Sequence, residues 1–451
     1  MSDTTFSRQP LDLDPSAAVL AHNSRFVPGG LASVNRKSDP VIAFARAQGS
    51  RLWDVAGKEY IDYHAGFAPY ILGHNDPDQI EAVTAVMAAG LSNYGSGPTR
   101  DEGELAELFL SCVSLADKVQ FFNSGSEATA QAIRVARAAT GREHVILVQG
   151  SYNGNQNVVA FNVMTPLEAL GKQVIGDEYP RVPITAGIPA AEQELAHVVE
   201  FNDLAAVETM LARYDVAAMI TEPILQNIGV VKPQPGYIEG LRKLADDHGF
   251  VLVFDEVKTG FRAGPGGFQG LTGIRGDLST YGKAFANGFP IAALAGKSEL
   301  MDLVVSEDVS KRVLLAGTYN CHPIPVAAAI ACLKKLRDPA LDVYGHLDGL
   351  AQSLEDGQQI LFDKYGVTAT IVRQGSAHCA YFMDHAPVNW WDLASSHDFG
   401  FDAKFRRELI ERGIYNFPLP TKQGSISFAH SEEDIDLTLA ANDAALHRLL
   451  G

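Results

Sequence analysis

The chain has 451 residues, of which 46% are hydrophobic and 20% are charged, and its formal net charge is −18. This length exceeds the size at which a single hydrophobic core stops growing, so we expect two domains, and the balanced composition excludes a disordered chain. The negative charge argues against nucleic acid as a partner and against binding to anionic membranes, because both would be repelled.

The four cysteines, Cys112, Cys321, Cys332 and Cys379, show no Cys-x-x-Cys spacing. The sequence therefore predicts free thiols, with neither a disulfide framework nor a metal site. The N-terminus lacks a basic stretch followed by apolar residues, and no window approaches the ~20 apolar residues of a membrane span. We expect a cytoplasmic protein without a membrane partner.

The predicted elements begin with an antiparallel meander of three strands between residues 41 and 63. From about residue 77, helical patterns alternate with short apolar strands, which is typical of a mostly parallel sheet with helices on both faces. The strand candidates are Lys118–Asn123, His144–Gly150, Val216–Glu222, Phe250–Val257, Leu278–Tyr281 and Ile291–Gly296, and the helix candidates are Ser126–Ala139 and Gly236–His248.

The segment 154–195 is rich in Pro and Gly and has little periodicity, so we expect either a loop over the site or an inserted flap. After about residue 340 the pattern changes again. A long helix candidate at 341–365 precedes strand candidates at 368–372, 378–383 and 425–429 and two amphipathic helices. This pattern predicts a second, smaller α+β domain.

Lys283 follows the strand candidate Leu278–Tyr281, and Asp255 ends a very apolar strand. A lysine that holds a carbonyl cofactor as an imine and a carboxylate that keeps its ring nitrogen positive are the groups that pyridoxal 5′-phosphate needs most. Apolar surroundings would lower the pKa of Lys283 toward the range where its amine is nucleophilic. For each residue alone, a surface lysine and a loop-capping carboxylate remain alternatives. No Gly-x-x-x-x-Gly-Lys-Ser/Thr segment precedes Asp255, which argues against a P-loop enzyme.

A turn of small residues, Ser124, Gly125 and Ser126, connects a strand end to a helix start. Exposed backbone amides and the positive end of the helix dipole make such a turn an anion site, which suits a phosphate. A serine before Glu127 is also typical of an ordinary helix cap, and this alternative stays open.

From about residue 26 to 450, the chain resembles the class III pyridoxal-phosphate aminotransferases of fold type I. The motifs that carry the resemblance are Asn123–Ala128, Phe254–Arg262, Tyr281–Ala284 and Gly317–Asn320. The resemblance implies an α/β fold whose large domain has a mostly parallel seven-stranded sheet sandwiched by helices. A smaller α+β domain would be built from N- and C-terminal segments. The expected ranges are 1–75 for the N-terminal segment, 76–335 for the large domain and 336–451 for the C-terminal part.

The resemblance also implies roles for individual residues. Lys283 would be the imine lysine, and Asp255 would contact the pyridine nitrogen. Ser124, Gly125 and Ser126 would contact the cofactor phosphate. Within the family, the chain looks most like glutamate-1-semialdehyde aminomutase and its aminotransferase relatives. The segments that carry this similarity are Pro28–Gly30, Leu72–His74, Ser96–Thr99, Thr221–Pro223 and Ala429–Ile435.

Further roles follow from the same resemblance. Val257 and Tyr152 would contact the two faces of the cofactor ring. Glu222 would lie on the O3′ side of the ring, although a strand-end cap is an equal alternative. Thr318 would reach the phosphate of a neighbouring subunit, which implies a homodimer with shared active sites. Asn153 stands where the family usually has histidine, a difference that would alter the surroundings of the cofactor rather than the stacking on Tyr152.

The implied activity is amino transfer from an amino acid or related amine to a keto acid such as pyruvate or 2-oxoglutarate. Asp255 would keep the ring nitrogen protonated, and Lys283 would move a proton between the substrate Cα and C4′. The reaction would pass through a Lys-bound aldimine and pyridoxamine phosphate. An aminomutase or amino-acid epimerase on the same scaffold is an alternative, and a catalytically silent cofactor-binding protein is a third.

Two cationic residues are candidates for substrate binding. Arg36 matches the position where the aminomutase branch carries an arginine that binds the substrate carboxylate, although a solvent-exposed arginine is an equal alternative. Lys422 stands where the aminomutase pattern usually has a glutamate. This replacement would change the charge that faces the substrate, and it weakens the inference of aminomutase activity itself.

Overall fold

Strands of the computed structural model, which describes residues 14–451, form three sheets. They are β1 (Phe44–Gln48), β2 (Arg51–Asp54), β3 (Glu59–Asp62), β4 (Lys118–Phe122), β5 (His144–Val148), β6 (Ala196–Val199), β7 (Val216–Thr221), β8 (Val251–Glu256), β9 (Leu278–Tyr281), β10 (Ala292–Gly296), β11 (Thr370–Gln374), β12 (Ala377–Tyr381), β13 (Ile414–Tyr415) and β14 (Gly424–Ser425).

The largest sheet has seven strands in the order β4-β10-β9-β8-β7-β5-β6. The strands from β9 to β6 are parallel to one another, and β10 is antiparallel to both of its neighbours. Every residue of β7 and β8 is buried, as expected of strands covered on both faces. The predicted α/β class with a mostly parallel seven-stranded sheet is confirmed.

Residues 14–451 form fifteen α-helices, and several of them cover the two faces of this sheet. They are α1 (Pro15–Asn23), α2 (Pro77–Ala88), α3 (Arg100–Cys112), α4 (Gly125–Thr140), α5 (Leu167–Leu170), α6 (Ala190–Gln193), α7 (Leu204–Arg213), α8 (Tyr237–His248), α9 (Gly267–Thr272), α10 (Ser298–Met301), α11 (Pro323–Arg337), α12 (Val343–Tyr365), α13 (Trp390–Ser396), α14 (Phe399–Glu411) and α15 (Glu432–Leu450). Within residues 14–451, no helix is long and apolar enough to cross a membrane.

The side chains of β5 show how the two layers of helices are held. Val145 and Leu147 join the core under α4, whereas Ile146 and Val148 join the core under α7 and α8. Successive side chains of a strand point to opposite faces, so a continuous apolar run buries both. The same burial fixes the carboxyl ends of the parallel strands at one edge.

The N- and C-terminal parts of the described chain share a sheet, because β13 pairs in parallel with β3 in the order β1-β2-β3-β13. A third sheet has the order β11-β12-β14. The domain ranges 1–75, 76–335 and 336–451 remain a proposal, and residues 1–13 lie outside the described part of the chain.

Three sequence-based elements differ from the structure. The first meander strand begins at Phe44 rather than Val41, and edge strand β6 was not predicted. The strand predicted at 425–429 ends at Ser425. The Ile426 amide still donates to the Ser376 carbonyl beside β12, but the chain then leaves this sheet, because the Phe428 amide donates to the Ile71 carbonyl.

The predicted loop at 154–195 connects β5 to β6 and is anchored to the sheet edge rather than extended as a flap. Tyr179 is buried and forms a β-bridge with Val198 of β6, and Phe161 forms a bridge with Pro183. Met164, in the middle of this segment, reaches the Lys422 ammonium. The segment therefore contributes one apolar side chain beside a candidate site residue.

Candidate active site

Four parallel strands place their following residues at one edge of the large sheet. Asn153 follows β5, Glu222 follows β7, Asp255 lies near the end of β8 and Lys283 follows β9. In open α/β sheets, ligands bind at the carboxyl ends of the strands. The structure therefore brings together residues that are widely separated in the sequence.

Asp255 is only 2% exposed and is held by three neutral donors. Its Oδ1 accepts from the Val257 amide at 3.0 Å and from the Thr280 hydroxyl at 3.0 Å. Its Oδ2 accepts from Asn153 Nδ2 at 2.9 Å. Burial raises the pKa of Asp255, and these hydrogen bonds together with the charge of Lys283 oppose that rise. No ion pair of Asp255 occurs within residues 14–451.

Lys283 lies close enough to Asp255 for each charge to shift the pKa of the other. Burial lowers the pKa of Lys283, which Asp255 and Glu222 oppose. The residue has φ of 50°, a left-handed conformation that is strained for a side chain larger than glycine. Such strain persists where surrounding structure enforces it and is frequent at functional sites.

The neighbouring carboxylate Glu256 has a different task from Asp255. Glu256 is fully buried and accepts from the amides of Phe268 and Gln269, at 2.6 and 3.3 Å, and from the Thr259 hydroxyl at 3.2 Å. These bonds tie the end of β8 to the start of α9. Of the two adjacent acidic residues, only Asp255 belongs to the cleft.

The small-residue turn forms the helix cap that the sequence left as an alternative. Ser124 Oγ accepts from the Glu127 amide, and Glu127 Oε2 accepts from the amides of Asn123 and Ser124 at 2.7 and 3.1 Å. The amides of Gly125 and Ser126 have no acceptor among the described residues. The cap and an anion site are therefore compatible, because different amides serve each.

Gly125 is required by the close approach of Val257. A Cβ at Gly125 would lie 2.9 Å from Val257 Cγ1, which is closer than real Cβ contacts. Val257 also lies two residues after Asp255 on the chain. The small-residue turn and Val257 are thus packed against each other at the start of α4.

Tyr152 and Glu222 are joined at the ends of β5 and β7. Glu222 Oε1 accepts from the Tyr152 amide at 2.9 Å, and its Oε2 accepts from the Gln226 amide at 2.9 Å. Burial raises the pKa of Tyr152, and hydrogen bonds of its hydroxyl to Asn35 and Ser126 oppose the rise. Glu222 accepts from two backbone amides, as the strand-end cap predicts, and it also lies near Lys283; its position beside the cofactor ring stays a prediction.

Thr318 and Arg36 are both exposed at the rim. The turn that contains Thr318 lies beside the small-residue turn 124–126, because Asn320 Oδ1 accepts from Asn123 Nδ2 at 3.1 Å. Arg36 follows Asn35, the residue that reaches Tyr152. Arg36 forms no hydrogen bond or ion pair within residues 14–451 through its side chain. The structure places it near the cleft without a protein partner.

Lys422 and two residues outside the sequence-based site form one wall of the cleft. Lys422 Nζ donates to the Asn227 carbonyl at 2.9 Å, and Lys258 Nζ donates to the Gln226 carbonyl at 2.6 Å. The charges of Lys258, Lys283 and Lys422 influence one another. Lys258 could have been found from the sequence, since it stands three residues after Asp255.

These residues fit pyridoxal phosphate. The unpaired amides of Gly125 and Ser126 at the start of a 16-residue helix suit a dianion, and the buried Asp255 suits a protonated ring nitrogen. Lys283 lies beside Asp255 with an amine that burial biases toward the neutral form. The group would supply an electron sink, and the protein would supply its orientation.

The chain is similar to known proteins over most of its length. The chain matches the aminotransferase class-III family over residues 33–419. It is 36% identical over 444 residues to a glutamate-1-semialdehyde 2,1-aminomutase of Bordetella avium (strain 197N), with 95% of this chain and 98% of that protein covered. A protein with the same description from Persephonella marina (strain DSM 14350 / EX-H1) is 35% identical, with 98% and 100% covered.

Solved structures show the same fold. An omega-transaminase from Sphaerobacter thermophilus superposes with a TM-score of 0.89 at 29% identity, covering 97% of this chain and 98% of that chain. A glutamate-1-semialdehyde-aminomutase from Pseudomonas aeruginosa PAO1 gives 0.84 at 26% identity, covering 96% and 94%. The chain belongs to the class-III aminotransferase family. It is a pyridoxal-phosphate enzyme of fold type I, as the resemblance predicted.

Proposed function

We propose that the enzyme is an aminotransferase that moves an amino group from a carboxylated amine or amino acid to a keto acid. Lys422 is the residue that favours the aminotransferase over the aminomutase. A cation occupies the position where the aminomutase pattern usually has a glutamate, and this cation faces the same cleft as Lys283 and Glu222. The similarity to an omega-transaminase at a TM-score of 0.89 supports the proposal.

The roles of the protein groups follow from their positions. Asp255 is held by Asn153, Thr280 and the Val257 amide, so it would accept a hydrogen bond from a cationic ring nitrogen without reorganising. Lys283 carries an amine whose pKa burial lowers, so it accepts a proton from a substrate carbon and returns it. Bound cofactor would supply the electron sink that makes this proton acidic.

A 2,1-aminomutase is the second candidate, because the curated relatives at 35–36% identity carry that name. In this activity both amino transfers would occur within one substrate, and no separate acceptor would be consumed. Both candidates need Asp255 and Lys283. They differ in whether the first carbonyl product leaves before the second transfer.

A half-reaction experiment separates the candidates. The purified holoenzyme is mixed with single amine donors, and cofactor absorbance and released carbonyl are followed with and without keto acid. We expect a donor alone to shift the absorbance and to release one carbonyl per site, with 2-oxo acid restoring the spectrum. Lys283→Ala is the control and should show neither change.

Two other outcomes are informative. Isomerised glutamate-1-semialdehyde without any acceptor would replace the proposal with the aminomutase. Absence of a spectral change with every amine, in a protein that binds the cofactor, would exclude both candidates.

We also propose a homodimer that shares its active sites. Thr318 is exposed beside the small-residue turn 124–126, and the segment 305–319 exposes several apolar side chains. They are Val305, Val309, Leu314 and Tyr319. Apolar groups concentrated on one segment are typical of a protein interface. Molar mass measured by light scattering should be twice that of one chain, and a monomer with full activity would contradict the proposal.

A further inference from the structure

Two lysines from distant parts of the chain converge on one short segment of backbone. Lys258 follows β8 and donates to the Gln226 carbonyl, while Lys422 precedes β14 and donates to the adjacent Asn227 carbonyl. Both lysines are only partly exposed. Two ammonium groups are therefore fixed side by side on consecutive carbonyl oxygens in the wall of the cleft.

Within residues 14–451, the lysine pair forms no ion pair, and Glu222 is the acidic group whose charge acts on both lysines. The nearby carboxylate Glu222 uses its oxygens on the amides of Tyr152 and Gln226. Burial lowers the pKa of Lys258 well below its ordinary value and that of Lys422 to about 8. Partly desolvated cations of like charge favour an anion between them.

Side-chain amide atoms of Gln226 and Asn227, beside the lysine pair, also lack hydrogen-bond partners. Gln226 is 0% exposed, and neither its Nε2 nor its Oε1 has a hydrogen-bond partner within residues 14–451. Asn227 Nδ2 is buried and also lacks a partner, whereas Asn227 Oδ1 accepts from Lys422 Nζ at 3.4 Å. Buried side-chain amide groups nearly always find partners, so two adjacent NH2 groups without acceptors are free to donate to a ligand.

We propose that Lys258, Lys422, Gln226 and Asn227 form an anion subsite for the second carboxylate of a dicarboxylic amino acid or keto acid. The inference rests on the proposed aminotransferase function, and it specifies the substrate class. A carboxylate has about four lone-pair sites, which matches two ammonium groups and two amide donors. Arg36 is the candidate partner of the first carboxylate of such a substrate. The proposed subsite would bind the second carboxylate.

The binding of unreactive acids tests the subsite without turnover. Glutarate and butyrate share a chain but differ in their second carboxylate, and calorimetry on the holoenzyme gives both dissociation constants. We expect wild type to bind glutarate at least about tenfold more tightly than butyrate, as charge-assisted hydrogen bonds require. Lys258→Met and Lys422→Met should each remove most of this preference and leave butyrate affinity within about twofold.

Matched variants make the result specific. Lys58 also donates only to backbone carbonyls, those of Ile410 and Glu411, but it lies in the turn between β2 and β3, so Lys58→Met should leave both affinities unchanged. Lys422→Arg keeps the charge and should retain the glutarate preference. If Lys422→Met does not fold, the comparison of Lys422→Arg with Lys422→Gln decides the same point.

Three outcomes overturn the inference. The first is equal binding of glutarate and butyrate by the wild type. The second is an unchanged glutarate preference in both methionine variants. The third is a shift of the cofactor absorbance in ligand-free Lys258→Met together with equal losses for both acids, which would assign Lys258 to the cofactor instead. The half-reaction experiment is independent of all three, so amine exchange can stand when the subsite fails.

Discussion

The cleft has two walls that differ in how their polar groups are satisfied. On the sheet wall, both oxygens of Asp255 and both oxygens of Glu222 accept hydrogen bonds from the protein. On the lysine wall, the side-chain NH2 groups of Gln226 and Asn227 have no acceptor, and neither ammonium group forms an ion pair within the described residues. The protein therefore holds the carboxylates of the first wall in place, whereas the second wall keeps donors free for a ligand.

This difference separates two requirements of catalysis. Groups that act on the cofactor must be oriented before it binds, because reorganisation during the reaction raises the barrier. Groups that select a substrate must keep bonding capacity for it, since a saturated donor offers no discrimination. The small-residue turn 124–126 meets both requirements. Ser124 and Glu127 complete the helix cap, and the backbone amides of Gly125 and Ser126 have no acceptor among the described residues.

The largest expected effect comes from breaking the sheet wall at Asp255. Asp255→Asn removes the charge opposite the ring nitrogen and should lower the rate of amine exchange by about 10²-fold or more. Its control is Glu256→Gln, one residue away and equally buried, which removes a charge from the bonds to α9. We expect Glu256→Gln to lower Tm while the rate per folded site falls less than about tenfold. Single-turnover rates and calorimetric melting provide the two measurements.

The reverse ranking of these variants would contradict the division of labour between the two carboxylates. If Glu256→Gln abolished exchange at unchanged stability, Glu256 rather than Asp255 would contact the cofactor. If both variants only lowered Tm, neither carboxylate would have a chemical role.

A smaller effect is expected at Asn153, which orients Asp255 without touching the substrate. Asn153→Ala leaves Asp255 Oδ2 without its donor and should weaken cofactor binding about tenfold, the value of one hydrogen bond to a charged group. Asn153→His, the residue usual in the family, carries a ring N–H and should restore binding to within about threefold. Absorbance titration with the cofactor measures both. Equal affinity of Asn153→Ala and wild type would show that Thr280 and Val257 suffice.

The sequence predicted the sheet wall better than the lysine wall for a physical reason. Asp255 and Lys283 follow apolar strands, and parallel strands must end at one edge, so local pattern and topology together imply their proximity. No comparable rule of topology predicts the position of Lys258 and Lys422. Lys258 and Lys422 are 164 positions apart, and their convergence depends on the turn that returns Gln226 and Asn227 beneath both.

Hydrogen bonds that replace strand pairing were equally hidden from the sequence. The apolar segment after Gly424 has the alternation of a strand, yet Phe428 bonds to Ile71 in a distant part of the chain. Tertiary partners outweigh local preference there. The same limitation applies to Asn153, whose identity was noticed but whose bond to Asp255 requires β5 and β8 to be placed two strands apart.

The smallest expected effect is a pH dependence of the lysine wall. Glu222, Arg406, Cys379 and Lys283 face Lys422, and burial is the largest cause that lowers its pKa, to about 8 from 10.5. Above that pH the free site loses its charge, so glutarate affinity should fall about fourfold between pH 7 and 8.5 while butyrate affinity changes less.

The ligand-free stability should move in the opposite direction. The unfolded chain keeps its Lys422 proton up to about 10.5 and the folded chain releases it near 8, so the unfolded state binds more protons between these values. The contribution of Lys422 to the free energy of unfolding therefore rises with pH across that window and is absent from Lys422→Met. Denaturant unfolding of both proteins at pH 7.5 and 9.5, compared as a difference, isolates this residue from the other titrating groups. A difference that does not change with pH would show that Lys422 keeps its ordinary pKa, and the fall in glutarate affinity would then need another titrating group.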